Sequence, residues 1–164
     1  MIYTDRMLAD WAKQGGIVPF DPDCINPASI DLRLGSSFIN LEANIEFQAD
    51  EIAIMPGQAI LATTLEIINI PKNAAGVVYL KSSLARAGLD HALAGYCDPS
   101  FSGTLTLELH SHRPVTLRAG QRVIQLVLLE TRGDPVNPYK GRYQGQRGPT
   151  RAREDKRGEG DSNE

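Results

Sequence analysis

The sequence predicts a mostly β subunit, an antiparallel sandwich or barrel entered through one short helix and left through a flexible polar tail. Three observations carry this. From Ser29 to Glu130 the chain runs as short stretches rich in Val, Ile, Leu and Thr, broken at close intervals by Gly, Pro and Asn, the pattern of strands and tight connections rather than of helices. Ile30, Leu32 and Leu34 alternate with Asp31 and Arg33, which predicts a half-buried strand. The segments MPGQAILATTLE and RAGQRVIQLVLLE both read as a turn, a glutamine, an apolar run and a closing glutamate, Glu66 in one and Glu130 in the other. Two such echoes are too few for a solenoid, but they suit a jelly roll in which two hairpin-like units face each other.

The helix is expected in TDRMLADWAKQGG, where Met7, Leu8 and Trp11 fall at helical spacing after Thr4 and Gly15-Gly16 act as the stop. VPFDPDCINPAS, rich in Pro and Asp, reads as a loop. After Thr131 the composition turns to Gly, Pro and charge. Lys140, Arg142, Arg147, Arg151 and Arg153 occur between Val136 and Arg153 without an acidic residue. Residues 151–164 are expected to be a solvated, disordered tail. In residues 138–150, Tyr, Gln and Arg alternate with glycines that let backbone N–H groups approach an anion, so this segment can close over a phosphate. A single domain over residues 1–150 follows.

Bulk properties narrow the function. At 164 residues, 41% apolar and 23% charged, the chain has the composition of a soluble globular protein. A net charge of −3 supplies no field for nucleic acid, so any anion site must be local. There is no bilayer-length apolar run and no basic-then-apolar leader, which excludes a membrane partner and predicts a cytoplasmic protein. Cys24 and Cys97 lie far apart without Cys-x-x-Cys spacing and are expected to be buried free thiols.

Chemistry concentrates between Lys81 and His112. In LTLEL, leucines 105, 107 and 109 take one face of a strand, leaving Thr106 and Glu108 on the other. The neighbouring CDPSFSG supplies Asp98, and LKSSLAR supplies two hydroxyls and two cations. A carboxylate among hydroxyls and cations can activate water; on an open surface it would be an ordinary solvated side chain. His91, His110 and His112 do not make a zinc site: the His-x-Glu and Pro-Cys-x-x-Cys pattern of zinc deaminases is missing, with Leu93 in place of the glutamate. His110 and His112 are expected to face solvent or a second subunit.

The segments INPASIDLRLG, ILATTLE, KSSLAR, DPSFSG, LTLELHS, RAGQRVIQL and YQGQRGPT, in this order, resemble the dCTP deaminase branch of the dUTPase-like superfamily over nearly the whole chain to Thr150. That resemblance implies a distorted β-barrel or jelly-roll subunit and a homotrimer with active sites between subunits. It implies metal-free deamination of dCTP, with Glu108 as general base, Ser82 and the Ala94 carbonyl holding the attacking water, and Arg86 beside the glutamate. Lys81 and Ser83 match triphosphate-binding positions, with Lys81 lacking the guanidinium fork that many relatives present. Asp98 matches the residue that holds the sugar 3′-hydroxyl, and Phe101 the ring beneath the sugar; as a plain core residue, Phe101 would need no ligand. Arg142 and Gln146 match tail contacts to phosphate and base, and Thr106, Gln125 and Tyr139 complete the substrate set. Magnesium is expected with the triphosphate, and no zinc.

Two features depart from the family pattern. VYL at Val78 to Leu80 stands where Val-Glu-Gly is usual, and Leu93 replaces a threonine before Ala94, so recognition of the pyrimidine and its C5 position, and feedback by thymidine triphosphate, are not carried over. The expected reaction is dCTP to dUTP and ammonia. The alternative is a bifunctional enzyme that continues to dUMP and pyrophosphate, to which Gln125 and YQGQRGPT point. A triphosphatase acting on dUTP alone, which has no need of Glu108, a non-catalytic nucleotide sensor and a purely structural jelly roll rank behind these.

Overall fold

Fifteen short strands run between Ile17 and Glu130 among the residues that the computed structural model describes, 1–92 and 94–154. The alternation expected from Ser29 onward is realised, and the segment expected as a loop, residues 18–29, also contributes to two two-residue strands, at Ile17 and Ile25. The fifteen are β1 (Ile17–Val18), β2 (Ile25–Asn26), β3 (Ser29–Arg33), β4 (Ser37–Asn40), β5 (Ile45–Gln48), β6 (Glu51–Ile54), β7 (Ile60–Thr63) and β8 (Ile67–Asn69). The series continues with β9 (Ala74–Leu80), β10 (Leu89–His91), β11 (Tyr96–Cys97), β12 (Ser102–Gly103), β13 (Thr106–Ser111), β14 (Val115–Arg118) and β15 (Arg122–Glu130). Two five-stranded antiparallel sheets result, ordered β10-β13-β7-β4-β5 and β11-β9-β15-β3-β2, with β1-β8-β12 and the pair β6-β14 beside them. The arrangement is a distorted sandwich without closure into a barrel. Ile30 and Leu32 of β3, Ile124, Leu126 and Leu128 of β15, Phe38 of β4, and Leu107 and Leu109 of β13 are buried in one apolar cluster. Each such side chain contributes roughly 1.5–3 kcal/mol of transfer free energy.

The internal echo is a repeated turn. β6 and β14 pair with each other, and each runs into the same four-residue connection, Met55 to Gln58 and Arg118 to Gln121. Gln58 Oε1 accepts the Met55 N–H at 2.9 Å, and Gln121 Oε1 accepts the Arg118 N–H at 3.0 Å. Gly57 and Gly120 take φ of +84° and +81°, a conformation that penalises any side chain. From there β7 enters one five-stranded sheet and β15 the other.

Helix α1 (Asp5–Trp11) buries Leu8 and is tied to β8, where Trp11 Nε1 donates to the Asn69 carbonyl at 3.0 Å. Met7, although in phase with Leu8, is exposed, and Thr4 precedes the helix without capping it through its side chain. Helix α2 (Ser82–Arg86) is a short turn between β9 and β10.

The half-buried reading of β3 is corrected. Asp31 is 1% exposed, because β3 is flanked by β15 and β2 and its polar face is covered by partners that alternation does not reveal. Lys81 Nζ lies 2.5 Å from Asp31 Oδ2, and Asn26 Nδ2 donates to Oδ1 at 2.9 Å. Arg33 donates from Nε and from its backbone N–H to the two oxygens of Glu66, at 2.7 and 2.9 Å. Burial pushes the Glu66 carboxyl upward and the Arg33 hydrogen bonds oppose that. Removing one member of a buried pair strands the other. Glu66→Ala is therefore expected to cost about 3 kcal/mol in chemical denaturation, and a loss within experimental error would show that Arg33 is satisfied by Asp21 and solvent alone.

Candidate active site

Strand β13 lies between β10 and β7, with Leu107 and Leu109 turned into the core. Thr106 and Glu108 therefore face the other way, as period-two geometry requires, into a cavity of about 550 Å³. Ala94, Asp98, Phe101, Tyr139 and Gln146 line the same cavity. Seven of the residues singled out in the sequence are thus brought together within one chain. Leu41, Leu61 and Val78 also line it, so the surroundings of Glu108 are largely apolar.

That setting governs the carboxylate. The Glu108 side chain is 30% exposed, but its Oε2 is buried and makes no hydrogen bond. Burial pushes its carboxyl above the usual range, with a backbone hydrogen bond and the nearby His110 pulling the other way. His91 Nε2 lies 3.5 Å from Oε2 and burial pushes that imidazole downward, with Asp90 opposing. A carboxyl so placed holds a proton more readily than one in water, which suits a group that must take and return protons. Asp98 is exposed at the cavity. Cys97, next to it, is a buried free thiol pushed up to about 12 by burial and then by Asp98, and the thiolate is inaccessible at neutral pH.

The polar tail lies against this site. Tyr139 donates its N–H to the Pro99 carbonyl at 3.1 Å and sets its ring edge-on to Phe101, centroids 5.8 Å apart. Gly145 N–H donates to Ser102 at 2.7 Å, Gln146 Nε2 to the Thr104 carbonyl at 2.7 Å, and Thr150 N–H to Thr106 Oγ1 at 3.0 Å. Phe101 is both a core residue and part of the cavity wall. Arg142 stacks over Tyr143 at 6.0 Å and donates to the Arg153 carbonyl. Residues 155–164, most of the expected disordered tail, lie outside the described residues, as does Leu93.

The remaining candidates are elsewhere on the chain. Ser82, Ser83 and Arg86 stand exposed on α2 and do not line the cavity. Lys81, at the start of α2, is engaged with Asp31. Gln125 on β15 donates to Ser29 Oγ at 3.4 Å. His91, Tyr143 and Thr150 are cavity residues that the sequence reading did not select. In the sequence His91 suggests only a metal ligand, and no local pattern announces that β10 pairs with β13. His110 and His112 are exposed, as expected. Among the described residues no three His, Cys, Asp or Glu side chains gather as a metal site, and no helix is long and apolar enough to cross a membrane.

Comparison with known proteins gives the family. The sequence profile described as dCTP deaminase-like matches residues 2–131. The protein described as "dCTP deaminase, dUMP-forming" from Thermobifida fusca (strain YX) is 37% identical over 181 aligned residues, covering 93% of this chain and 92% of the relative. Among solved structures, the 2′-deoxycytidine 5′-triphosphate deaminase of Agrobacterium tumefaciens superposes with a TM-score of 0.69 at 20% identity, over 77% of this chain and 47% of that one. The native dUTPase of EIAV superposes with a TM-score of 0.52 at 22% identity, over 77% and 92%. This chain spans about half the length of the Agrobacterium protein, and at these identities the two structures speak for the fold alone: it is dUTPase-like. With the profile covering most of the chain and a relative matched nearly end to end, the chain is an enzyme of the dCTP deaminase-like family.

Proposed function

We propose that this enzyme hydrolyses dCTP at two bonds, releasing ammonia from the cytosine and pyrophosphate from the triphosphate to leave dUMP. One observation carries the reading: a desolvated carboxylate, Glu108, and an exposed one, Asp98, open onto a single cavity, giving two bases of different character within reach of one nucleotide. The sequence alone ranks dUTP first as the product. The Thermobifida relative is described as dUMP-forming, and that favours the coupled reaction over the single one.

In the first step Glu108 takes a proton from water as the oxygen attacks C4, then returns protons to N3 and to the leaving amine, so dCTP and water give dUTP and ammonia. In the second, Asp98 activates water against the α-phosphorus, and dUTP and water give dUMP and pyrophosphate. Ala94, through its carbonyl, and Ser82 hold the first water, and Arg86 fixes the charge on Glu108. Phe101 lies beneath the sugar. Lys81, Ser83 and Arg142 serve the triphosphate, while Thr106, Gln125, Tyr139 and Gln146 complete the nucleotide contacts. Magnesium arrives as part of the substrate, on the triphosphate. Residues 1–150 form one nucleotide-binding unit of a cytoplasmic enzyme, with 138–150 closing over the bound substrate. Because Ser82, Ser83 and Arg86 are exposed outside the cavity of their own chain, they serve a neighbour's cavity in a homotrimer.

Incubation with magnesium and dCTP, with ammonia, pyrophosphate, dUTP and dUMP separated over time, tests this directly. Ammonia and pyrophosphate in equal amounts with dUMP are expected. Accumulation of dUTP without pyrophosphate sinks the second hydrolysis, and the absence of ammonia sinks the deaminase reading altogether.

A further inference from the structure

His91 and Glu108 leave one buried polar atom each without a hydrogen bond, and those atoms face each other. His91 is 8% exposed, and its Nε2 and Glu108 Oε2 are both buried and unsatisfied, 3.5 Å apart. The gap is fixed by backbone. β10 pairs with β13, His91 opposite Leu109, and the Ala92 N–H donates to the carbonyl of Glu108 itself at 3.0 Å. A buried unsatisfied pair is costly, and catalytic hydrogen bonds are often long before substrate arrives. Closing by roughly half an ångström brings the pair within hydrogen-bond range.

We infer that His91 is a positioning residue for Glu108: its neutral imidazole donates Nε2–H to Oε2 and leaves Oε1 as the base that faces the cavity. The inference rests on Glu108 being the general base. Other titratable groups surround the pair without supplying this bond. Asp90 on β10 and His110 on β13 are exposed, Asp98, Tyr96 and Cys97 line the same cavity, and Tyr139 and Tyr143 come from the tail. Among the described residues, none of them hydrogen-bonds to either atom. A donor at Oε2 stabilises the ionised carboxylate against the burial that disfavours it, so Glu108 stays a base at neutral pH while remaining easier to protonate than an exposed glutamate.

Two measurements separate this from a merely structural histidine. In the wild-type protein, nitrogen-15 NMR of the imidazole reads which ring nitrogen carries the proton; Nε2–H is expected, and a neutral ring protonated on Nδ1 overturns the inference. Carbon-13 NMR of carboxyl-labelled glutamate, with the Glu108 signal assigned by its loss in Glu108→Gln, then follows its titration. In His91→Leu the midpoint is expected to rise by about one pH unit, with the acid limb of ammonia release moving up alongside it and kcat falling more than KM changes. In His91→Gln, whose amide can donate in place of the ring, at least half of the rise is expected to be reversed. A midpoint that stays or falls in His91→Leu, or a glutamine variant identical to leucine, removes His91 from the role. If wild-type protein releases no ammonia from dCTP, the function proposed for the site fails, and the two NMR readouts still decide the pairing.

Discussion

Replacing Glu108 by glutamine is expected to slow ammonia release from dCTP by roughly 10²–10⁴-fold while nucleotide affinity changes little. Glutamine keeps the size of the side chain and its packing beside β7, where residue 108 lies opposite Leu61. What disappears is the oxygen proposed to accept a proton from water and pass it on. The size of the loss follows from the setting. An exposed glutamate would be too weak a base to take the proton and too strong an acid to keep it through the cycle. Burial pushes Glu108 upward, towards the pH at which both transfers are balanced. The sign for pH dependence is fixed by the same shift. As the proposed base Glu108 acts when ionised, so deamination is expected to fall as the pH is lowered through its raised pKa, with the acid limb above that of an ordinary carboxylate. Steady-state ammonia release together with calorimetric dCTP binding checks both parts. Near-normal turnover in Glu108→Gln would return the residue to the status of a partly buried surface carboxylate.

What the sequence made legible was whatever depends on neighbours along the chain. Leucines 105, 107 and 109 against Thr106 and Glu108 gave the two faces of β13, because side-chain alternation is a property of a single strand. The Gly-Gln echo was visible for the same reason: φ above zero at Gly57 and Gly120 and the glutamine bond back to residue i−3 are local requirements. The failures are all non-local. Alternation says that Asp31 and Arg33 share a face, but Lys81 is 50 residues from Asp31 and Glu66 is 33 from Arg33, so the burial of that face could not be read. His91 acquires its meaning from a strand pairing of three residues, too short to leave a pattern. Met7 is in phase with Leu8 and still exposed, because one short helix offers only a narrow stripe to the core.

The division of the candidate site yields the sharper quantitative test. Glu108 and Asp98 open into the cavity, whereas Ser82 and Arg86 stand exposed on α2, outside it. If each cavity is completed by α2 of a neighbouring copy, Glu108→Gln protein and Ser82→Ala/Arg86→Ala protein are each defective at every site for a different reason. Co-expressed with separate tags and purified as mixed trimers, they form some sites that take an intact cavity from one chain and an intact α2 from the other. Every mixed threefold ring contains one such site in three, so deaminase activity is expected to recover to about one third of wild type, far above either variant alone. A site built within one chain cannot behave this way: mixing would give only the average of two defective enzymes. Activity that stays at that average in demonstrably mixed oligomers would remove α2 from the catalytic assembly. It would also leave Glu108 to work with the groups of its own cavity, His91 Nε2 at 3.5 Å among them.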